Sequence, residues 1–284
     1  MSQRKIERIY DARRSSDGAG VDIQRLVPPA GSNAFDPFLL LDEIKGDGGN
    51  GFPPHPHRGF ETVTYMRRGA FQHEDHMGNR GQVGAGGAQW MTAGSGVIHS
   101  EMPLPDDGWL HGFQLWLNLP AEDKMMAPAY LDAQAASHPM LEHQGVRVRV
   151  IAGELSWGGQ VAAVDLPPRK TDPHYYDIEI SADATIDLPL PETHRVFVKV
   201  YDGQVQVGDQ TISSQQLAEL GPGDQLVASS PAGAKLLLLA GVPLAEPVAQ
   251  YGPFVMNTRQ QIEQAVQDYR NGVLTKQSEP LSDR

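Results

Sequence analysis

Short stretches in which apolar and polar residues alternate occur along most of the chain. Residues 146–150 (VRVRV) are the clearest case, and similar runs are 62–66, 113–117, 196–200 and the apolar 236–239. Because neighbouring side chains of a strand point to opposite faces, this pattern predicts strands with one buried face. Turn-forming residues separate the runs at intervals of about ten residues, which is typical of an all-β sandwich or barrel.

Near the C-terminus the apolar spacing changes to that of a helix. The positions spaced i, i+3, i+4 and i+7 are Ile262, Ala265, Val266 and Tyr269. Asn257 or Thr258 is a suitable N-cap before them, and Gly272 is a suitable stop after them. The sequence therefore predicts one C-terminal helix after the strands.

The chain length and a faint internal repeat predict two domains. At 284 residues the chain is long enough for about two domains of ordinary size. Two segments of the first half resemble two of the second, namely 61–69 with 195–203 and 86–94 with 222–230. We expect residues 1–134 to form an N-terminal jelly-roll-like β-barrel with its linker. Residues 135–284 are expected to form a second barrel in tandem, followed by the helix.

Charge and cysteine content exclude several classes of function. Lysine and arginine total 23 against 35 aspartate and glutamate, which gives a formal net charge of −12. Surfaces that bind nucleic acid or anionic membranes carry the opposite sign, so neither partner is expected. The absence of cysteine excludes disulfides and thiolate metal sites. No apolar segment suits a membrane span or signal peptide, so a cytoplasmic protein is expected.

Two pairs of metal-ligating residue types stand out. His55 and His57 are two residues apart in a proline-rich stretch that excludes a helix, and His99 and Glu101 have the same spacing. In strands, residues i and i+2 share a face. If the two strands are neighbours, three imidazoles and one carboxylate converge inside the barrel and leave open positions on a divalent transition metal. We therefore predict a metal site at these four residues.

Glu61 is an alternative carboxylate ligand. It has the same parity as His55 and His57, so an unbroken strand would bring it to the same face. Gly59 interrupts that stretch, whereas nothing interrupts the stretch between His99 and Glu101. Glu101 is therefore the preferred ligand.

Aromatic and apolar residues around the predicted metal allow two interpretations. Barrel core is the simpler one, and a pocket for a flat aromatic ligand is the other. The pocket candidates are Phe52, Trp90, Met91 and Phe113, and Phe60 and Trp116 belong to the same group. His73 begins the polar cluster HEDH, and at a strand end it is a candidate to exchange a proton with a substrate hydroxyl.

The second half of the chain lacks an equivalent pair pattern. The positions that align with His55 and His57 are Pro189 and Pro191. His174 and His194 have no partner at ligand spacing, so we interpret them as surface or core histidines. The second barrel is therefore expected to lack metal ligands and to serve as a scaffold.

Several long motifs resemble the pirin family within the cupin superfamily. They are FDPFLLLDE, HPHRGFETVTY, GAFQHEDHMGN, QWMTAGSGVIHSEMP and, before the helix, YGPFVMNT. The general cupin pattern is met by Gly49, the two histidines and Glu61, but it expects proline where Gly94 stands and asparagine where Pro103 stands. Pirin-like sequences show the same departures, so the narrower resemblance is the better one.

The resemblance implies two cupin-type domains and one iron held by His55, His57, His99 and Glu101, with Glu61 in a supporting role. Manganese, nickel, copper, cobalt or zinc also fit these ligand types. It further implies a dioxygenase that cleaves a flavonol such as quercetin with dioxygen and releases carbon monoxide. On that expectation Glu101 also takes the flavonol hydroxyl proton. The alternatives are a redox-sensitive regulator that acts through protein contacts and a metal-stabilised β-protein without catalysis.

Overall fold

The computed structural model describes residues 2–29, 32–106 and 108–276, and in this part of the chain antiparallel strands dominate. The first twelve strands are β1 (Ile6–Asp11), β2 (Arg13–Asp17), β3 (Val21–Leu26), β4 (Phe38–Gly46), β5 (Phe52–His57), β6 (Phe60–Arg68), β7 (Ala70–Asp75), β8 (Arg80–Gly84), β9 (Ala88–Thr92), β10 (Val97–Leu104), β11 (Leu110–Asn118) and β12 (Ala129–Ala133). A short 3₁₀ turn, Ala135–Ser137, follows them. The predicted all-β fold is confirmed.

The remaining strands are β13 (Met140–His143), β14 (Val146–Ala152), β15 (Glu154–Trp157), β16 (Gln160–Ala163), β17 (His174–Ile180), β18 (Ala184–Pro189), β19 (Arg195–Val207), β20 (Gln210–Ser213), β21 (Gln216–Leu220), β22 (Gln225–Ser230), β23 (Ala234–Gly241), β24 (Ala249–Tyr251) and β25 (Phe254–Met256). The helix α1 spans Arg259–Arg270. Among the described residues no helix has the length and apolar character needed to cross a membrane.

The chain forms two compact units, and each takes segments from separate parts of the sequence. The N-terminal unit comprises Arg14–Ala136 together with the chain from Ala245 onward. The C-terminal unit comprises the residues up to Arg13 together with Ser137–Leu244. The prediction divided the chain after residue 134 and assigned each chain end to the domain of its own half. In the structure each chain end belongs to the other unit. The physical reason is pairing and packing of the ends: β1 pairs with β21, and α1 packs beside Ile98 of β10.

The N-terminal unit is built mainly on two antiparallel sheets rather than one closed barrel, and β24 and β25 form a further two-stranded sheet. A seven-stranded sheet has the order β12-β9-β6-β11-β4-β3-β2, and a four-stranded sheet has the order β5-β10-β7-β8. Glu101 of β10 accepts hydrogen bonds from Thr64 of β6 and Gln114 of β11, so the two sheets face each other. The interior between them positions the candidate site.

The C-terminal unit is built on a ten-stranded antiparallel sheet. Its core follows the predicted alternation, because Val146, Val148 and Val150 of β14 are buried while Arg147 is exposed and Arg149 is half-buried. Ile6 of β1 belongs to the same core, which explains why the N-terminal segment joins this unit.

The C-terminal helix is capped as the sequence predicts. The Thr258 side chain accepts a hydrogen bond from the backbone N–H of Gln261, and the Gln261 side chain accepts one from the backbone N–H of Thr258. Ile262 and Ala265 form the buried face of α1, and Gly272 adopts a φ of 66° just beyond the last turn. This reciprocal capping box satisfies two backbone donors that the helix itself leaves free.

Removing the cap is expected to weaken the N-terminal unit moderately. A Thr258→Ala variant loses the side-chain acceptor, and we expect its free energy of unfolding to fall by about 1 kcal/mol. Urea denaturation measures the change, and Arg259→Ala, at the exposed next position, is the control. An unchanged midpoint for Thr258→Ala would contradict the assigned cap.

Candidate metal centre

Two neighbouring strands carry the predicted ligand pairs. β10 lies between β5 and β7, and in its pairing with β5 His99 stands opposite His55. His55 and His57 share a face because they are two residues apart in β5. The strand ends at His57, since Gly59 has a φ of 89° and a Cβ at that position would lie 2.0 Å from the carbonyl oxygen of Val255. Only glycine fits this turn without displacing the backbone.

The structure brings three of the predicted residues into one cluster. One ring nitrogen from each of His55, His57 and His99 lies within 4.8 Å of the other two. The ring centroids are 4.4 Å apart for His55–His99, 4.7 Å for His55–His57 and 5.0 Å for His57–His99. This spacing suits three ligands around a single metal ion.

Three ring nitrogens of this cluster are buried without a hydrogen-bond partner among the described residues. They are Nε2 of His57 and both ring nitrogens of His99. A buried polar atom without a partner costs about 1–3 kcal/mol. Nδ1 of His55 lies 2.9 Å from the carbonyl oxygen of Pro53, and Nδ1 of His57 lies 3.4 Å from that of Pro253. Nδ1 can then hold the proton, leaving Nε2 as the lone-pair donor that a metal requires.

Burial keeps two of these rings neutral. It lowers the pKa of His57 and of His99 well below the ordinary histidine value, and the neighbouring histidines lower both further. A neutral imidazole is the ligand form of histidine, so the rings can bind a metal without first losing a proton.

The lowered pKa values of His57 and His99 have a measurable effect on the stability of the metal-free protein. We expect stability to fall as the pH drops from about 7 to about 5, because the unfolded histidines take up protons near pH ~6.5 while the folded His57 and His99 do not. The loss is up to about 1.4 kcal/mol per histidine for each pH unit below ~6.5. Urea midpoints measured with chelator across this range test it. A His57→Leu/His99→Leu double variant should have a shallower pH slope, and an equal slope would contradict the neutral assignment.

Glu101 lies close to the cluster but is held by other groups. Its carboxylate accepts hydrogen bonds from Thr64 Oγ1 at 3.0 Å and from Gln114 Nε2 at 3.1 Å. It is buried and stands opposite His73 in the pairing of β10 with β7. The group of ring nitrogens within 4.8 Å of one another does not include a Glu101 oxygen.

Glu61 is directed elsewhere. It lies on β6 of the seven-stranded sheet, and its carboxylate accepts a hydrogen bond from Thr92 Oγ1 at 2.6 Å. The break at Gly59 separates its strand from that of His57, which is the interruption the sequence predicts. Among the two carboxylates, Glu101 is therefore the one placed beside the histidines.

A cavity of about 1050 Å³ opens beside the cluster within the N-terminal unit. His55, His57 and Glu101 form part of its wall, together with Gln114 and Trp116 of β11. The ring of Trp116 is 5.4 Å from that of His57 and gives the wall an aromatic surface. The cavity is of the size that small-molecule ligands occupy.

Only part of the predicted aromatic pocket lines this cavity. Phe52 and Trp116 do, whereas Phe113, Phe60, Trp90 and Met91 are not among the lining residues and are buried in the core. Side-chain alternation explains the difference in β11: Gln114 and Trp116 share the cavity face, so Phe113 points to the other face and stacks on Tyr65. For Phe113, Phe60, Trp90 and Met91 the structure agrees with barrel core, the simpler of the two interpretations.

His73 is also placed away from the cavity. Its ring is buried, 5.3 Å from that of His99 and 4.5 Å from that of Tyr130, and it is not among the residues that line the cavity. Burial lowers its pKa. This position does not support the predicted proton exchange between His73 and a substrate, and it makes His73 a packing neighbour of His99.

Three charged residues that line the cavity were not predicted from the sequence. Arg25 donates to both oxygens of Asp42 and also to Asp17, and all three line the cavity. The hydrogen bonds that Arg25 donates to the Asp42 carboxylate raise the pKa of Arg25 above its ordinary value. No local motif marks these residues, because β3 and β4 bring them together only through strand pairing.

The C-terminal unit holds a second group of ligand-type residues, contrary to the prediction. One donor atom from each of Asp172, His174 and His194 lies within 4.8 Å of the others. His174 begins β17 and His194 precedes β19, and both strands pair with β23. The two histidines thus meet across an intervening strand, which spacing along the sequence does not reveal. The D-x-H pattern at 172–174 was the available signal.

Comparison with known proteins agrees with the motifs. The family model of pirin matches residues 20–117, and that of the pirin C-terminal cupin domain matches residues 175–275. The Pseudomonas aeruginosa protein named "Putative quercetin 2,3-dioxygenase" is 48% identical over 281 residues, which cover 95% of this chain and 98% of that protein. Human pirin is 39% identical over 278 residues, which cover 95% of this chain and 93% of pirin.

A solved structure agrees with the fold. The crystal structure of quercetin 2,3-dioxygenase from Acinetobacter baumannii has a TM-score of 0.87 and 32% sequence identity, with 96% of this chain and 99% of that one covered. The predicted cupin-type fold is thereby confirmed. Since both family models match and relatives of this identity span nearly the whole chain, the chain belongs to the pirin family.

Proposed function

We propose that the chain is a mononuclear metal dioxygenase that cleaves a flavonol such as quercetin. The observation that carries the proposal is the three-histidine cluster beside a cavity of about 1050 Å³, in which three ring nitrogens are buried without a hydrogen-bond partner among the described residues. The names of two relatives, one from Pseudomonas aeruginosa and one of known structure from Acinetobacter baumannii, support the substrate class.

The donor set fits one divalent transition metal. His55, His57 and His99 would hold it, and Glu101, in the same cavity wall, is the proposed fourth ligand. Iron is the proposed ion, and manganese, nickel, copper, cobalt and zinc suit the same nitrogen and oxygen donors. A redox metal bound there supplies electron exchange between an electron-rich substrate oxygen and dioxygen.

The residues of the chain contribute orientation and proton transfer. Glu101 lines the cavity and accepts hydrogen bonds from Thr64 and Gln114, which supports its proposed role as the base that takes the proton of a flavonol hydroxyl. Phe52 and Trp116 provide apolar wall on which flat rings can pack. Together they would hold the reacting oxygen beside the three histidines and limit the access of water.

Oxygen uptake and carbon monoxide release test the proposal. Protein loaded anaerobically with each candidate ion is mixed with quercetin and dioxygen, and free metal is the control. We expect uptake of dioxygen and release of carbon monoxide in equal amounts, well above the free-metal rate. A rate equal to that of free metal with every ion would refute the enzymatic proposal.

Replacing Glu101 should separate chemistry from metal binding. We expect Glu101→Gln to keep most of the bound metal, because the three histidines remain, and to lower kcat by about 100-fold, because an amide cannot take the hydroxyl proton. Steady-state kinetics with elemental analysis measures both effects. Glu74→Gln, at an exposed position on β7, is the control. Unchanged kcat for Glu101→Gln would exclude Glu101 as the base.

A further inference from the structure

The geometry points to a second metal site, in the C-terminal unit, formed by Asp172, His174 and His194 and suited to zinc or a similar divalent transition metal. It adds one ion to the single ion per chain expected from the sequence, and it does not depend on the proposed function. Under the internal repeat His55 and His57 align with Pro189 and Pro191, so this group is not a copy of the first centre.

Sheet pairing brings the two histidines to the same end of the sheet. β17 and β19 flank β23, with His174 opposite Ala240 and Arg195 opposite Gly241. The rings of His174 and His194 lie 5.0 Å apart between centroids. His174 is the first residue of β17 and His194 directly precedes β19, so the pairing of both strands with β23 brings the two rings together.

A hydrogen-bond relay orients His174 as a ligand. Its Nδ1 lies 2.9 Å from the hydroxyl oxygen of Tyr176, and that hydroxyl lies 2.7 Å from the carbonyl oxygen of Glu154. The single hydroxyl proton goes to the carbonyl, so Nδ1 of His174 is the donor and Nε2 keeps its lone pair. Metal-bound histidines are typically fixed in this way by a partner on the other ring nitrogen. Gly153 leaves the space for the ring, since a Cβ there would lie 2.6 Å from it.

His194 and Asp172 complete the group. Nε2 of His194 lies 2.9 Å from the carbonyl oxygen and 3.2 Å from Oδ2 of Asp172. The His194 side chain is 2% exposed, whereas that of Asp172 is 64% exposed. A divalent ion would take the place of the contact between Nε2 of His194 and the Asp172 carboxylate, and the exposed carboxylate gives the ion a route from solvent.

The chemistry of the donors selects the class of ion. Two neutral imidazoles and one carboxylate are a typical zinc donor set, with water in the fourth position of a tetrahedral site. Hard ions such as magnesium and calcium prefer all-oxygen donors and are not expected to bind here.

Metal stoichiometry in a variant without the first centre tests the site. In a His57→Ala/His99→Ala background we expect one equivalent of zinc per chain by elemental analysis after gel filtration. Cobalt should give the visible absorption of a four-coordinate ion in the same background. Added Asp172→Asn or His174→Gln should remove this equivalent and weaken binding by about 100-fold or more. Asp209→Asn, an exposed acid of the same unit, should leave it intact.

Several outcomes would overturn the site. The proposed site would be refuted if the background variant bound no stoichiometric zinc. It would also be refuted if the bound zinc persisted after Asp172→Asn and His174→Gln. Should the background variant fail to fold, wild-type protein decides the question, because two equivalents of zinc must fall to one in Asp172→Asn. Failure of this test leaves the dioxygenase proposal untouched, since that is assessed by oxygen uptake at the first centre.

Discussion

A His99→Ala variant is expected to lose the metal of the N-terminal unit, and with it quercetin turnover. His99 lies on β10, the strand between β5 and β7, and both of its ring nitrogens are buried without a hydrogen-bond partner in the described part of the chain. The two remaining histidines and Glu101 should hold the ion weakly. We expect the metal content of the purified variant to fall by one equivalent per chain and kcat/KM for quercetin to fall by about 1000-fold.

The matched control is His143→Ala. His143 belongs to the C-terminal unit, where its ring contacts Trp157 at 5.5 Å, and it is in neither cluster of donor atoms. It should keep both metal and turnover. A His99→Ala protein with unchanged metal content and rate would contradict the assigned ligands.

The largest expected loss of stability comes from Arg58→Met. The Arg58 guanidinium is buried and donates to the carbonyl oxygens of Ser95 and Leu274 and to the carboxylate of Asp268 on α1. Methionine has similar length but no donor, so three acceptors lose their partner and Asp268 keeps a half-buried charge. Removal of one member of a buried ion pair costs about 3–5 kcal/mol, and we expect a loss in this range.

Chemical denaturation measures this change for the N-terminal unit. Arg270→Met, at an exposed position on the same helix, is the control and should change stability by less than about 0.5 kcal/mol. If Arg58→Met lowered the free energy of unfolding by less than about 1 kcal/mol, the Arg58–Asp268 pair would not stabilise the packing of α1 beside the turn after β5.

The first centre could be predicted from the sequence because its geometry is local. His55 and His57 share a face because they are two residues apart, and Gly59 breaks the strand before Glu61. Strand parity alone therefore predicted that the two residues of each pair lie on one face. The pairing of β5 with β10 then required only that the two stretches be neighbours.

Features that depend on pairing between strands distant in the sequence could not be predicted from strand parity. Phe113 and Trp116 are equally aromatic, and only the parity set by β11 decides which one lines the cavity. His174 and His194 meet because two strands flank a third. The exchange of chain ends between the units follows from strand pairing and helix packing, which hydrophobic periodicity does not encode.

Anomalous diffraction at the iron absorption edge tests the central claim most directly. Crystals are grown from protein loaded anaerobically with ferrous iron and measured above and below the edge. We predict an anomalous peak within ligand distance of the Nε2 atoms of His55, His57 and His99, at the wall of the cavity. An empty map at this position, in crystals whose iron content has been measured, would contradict the account.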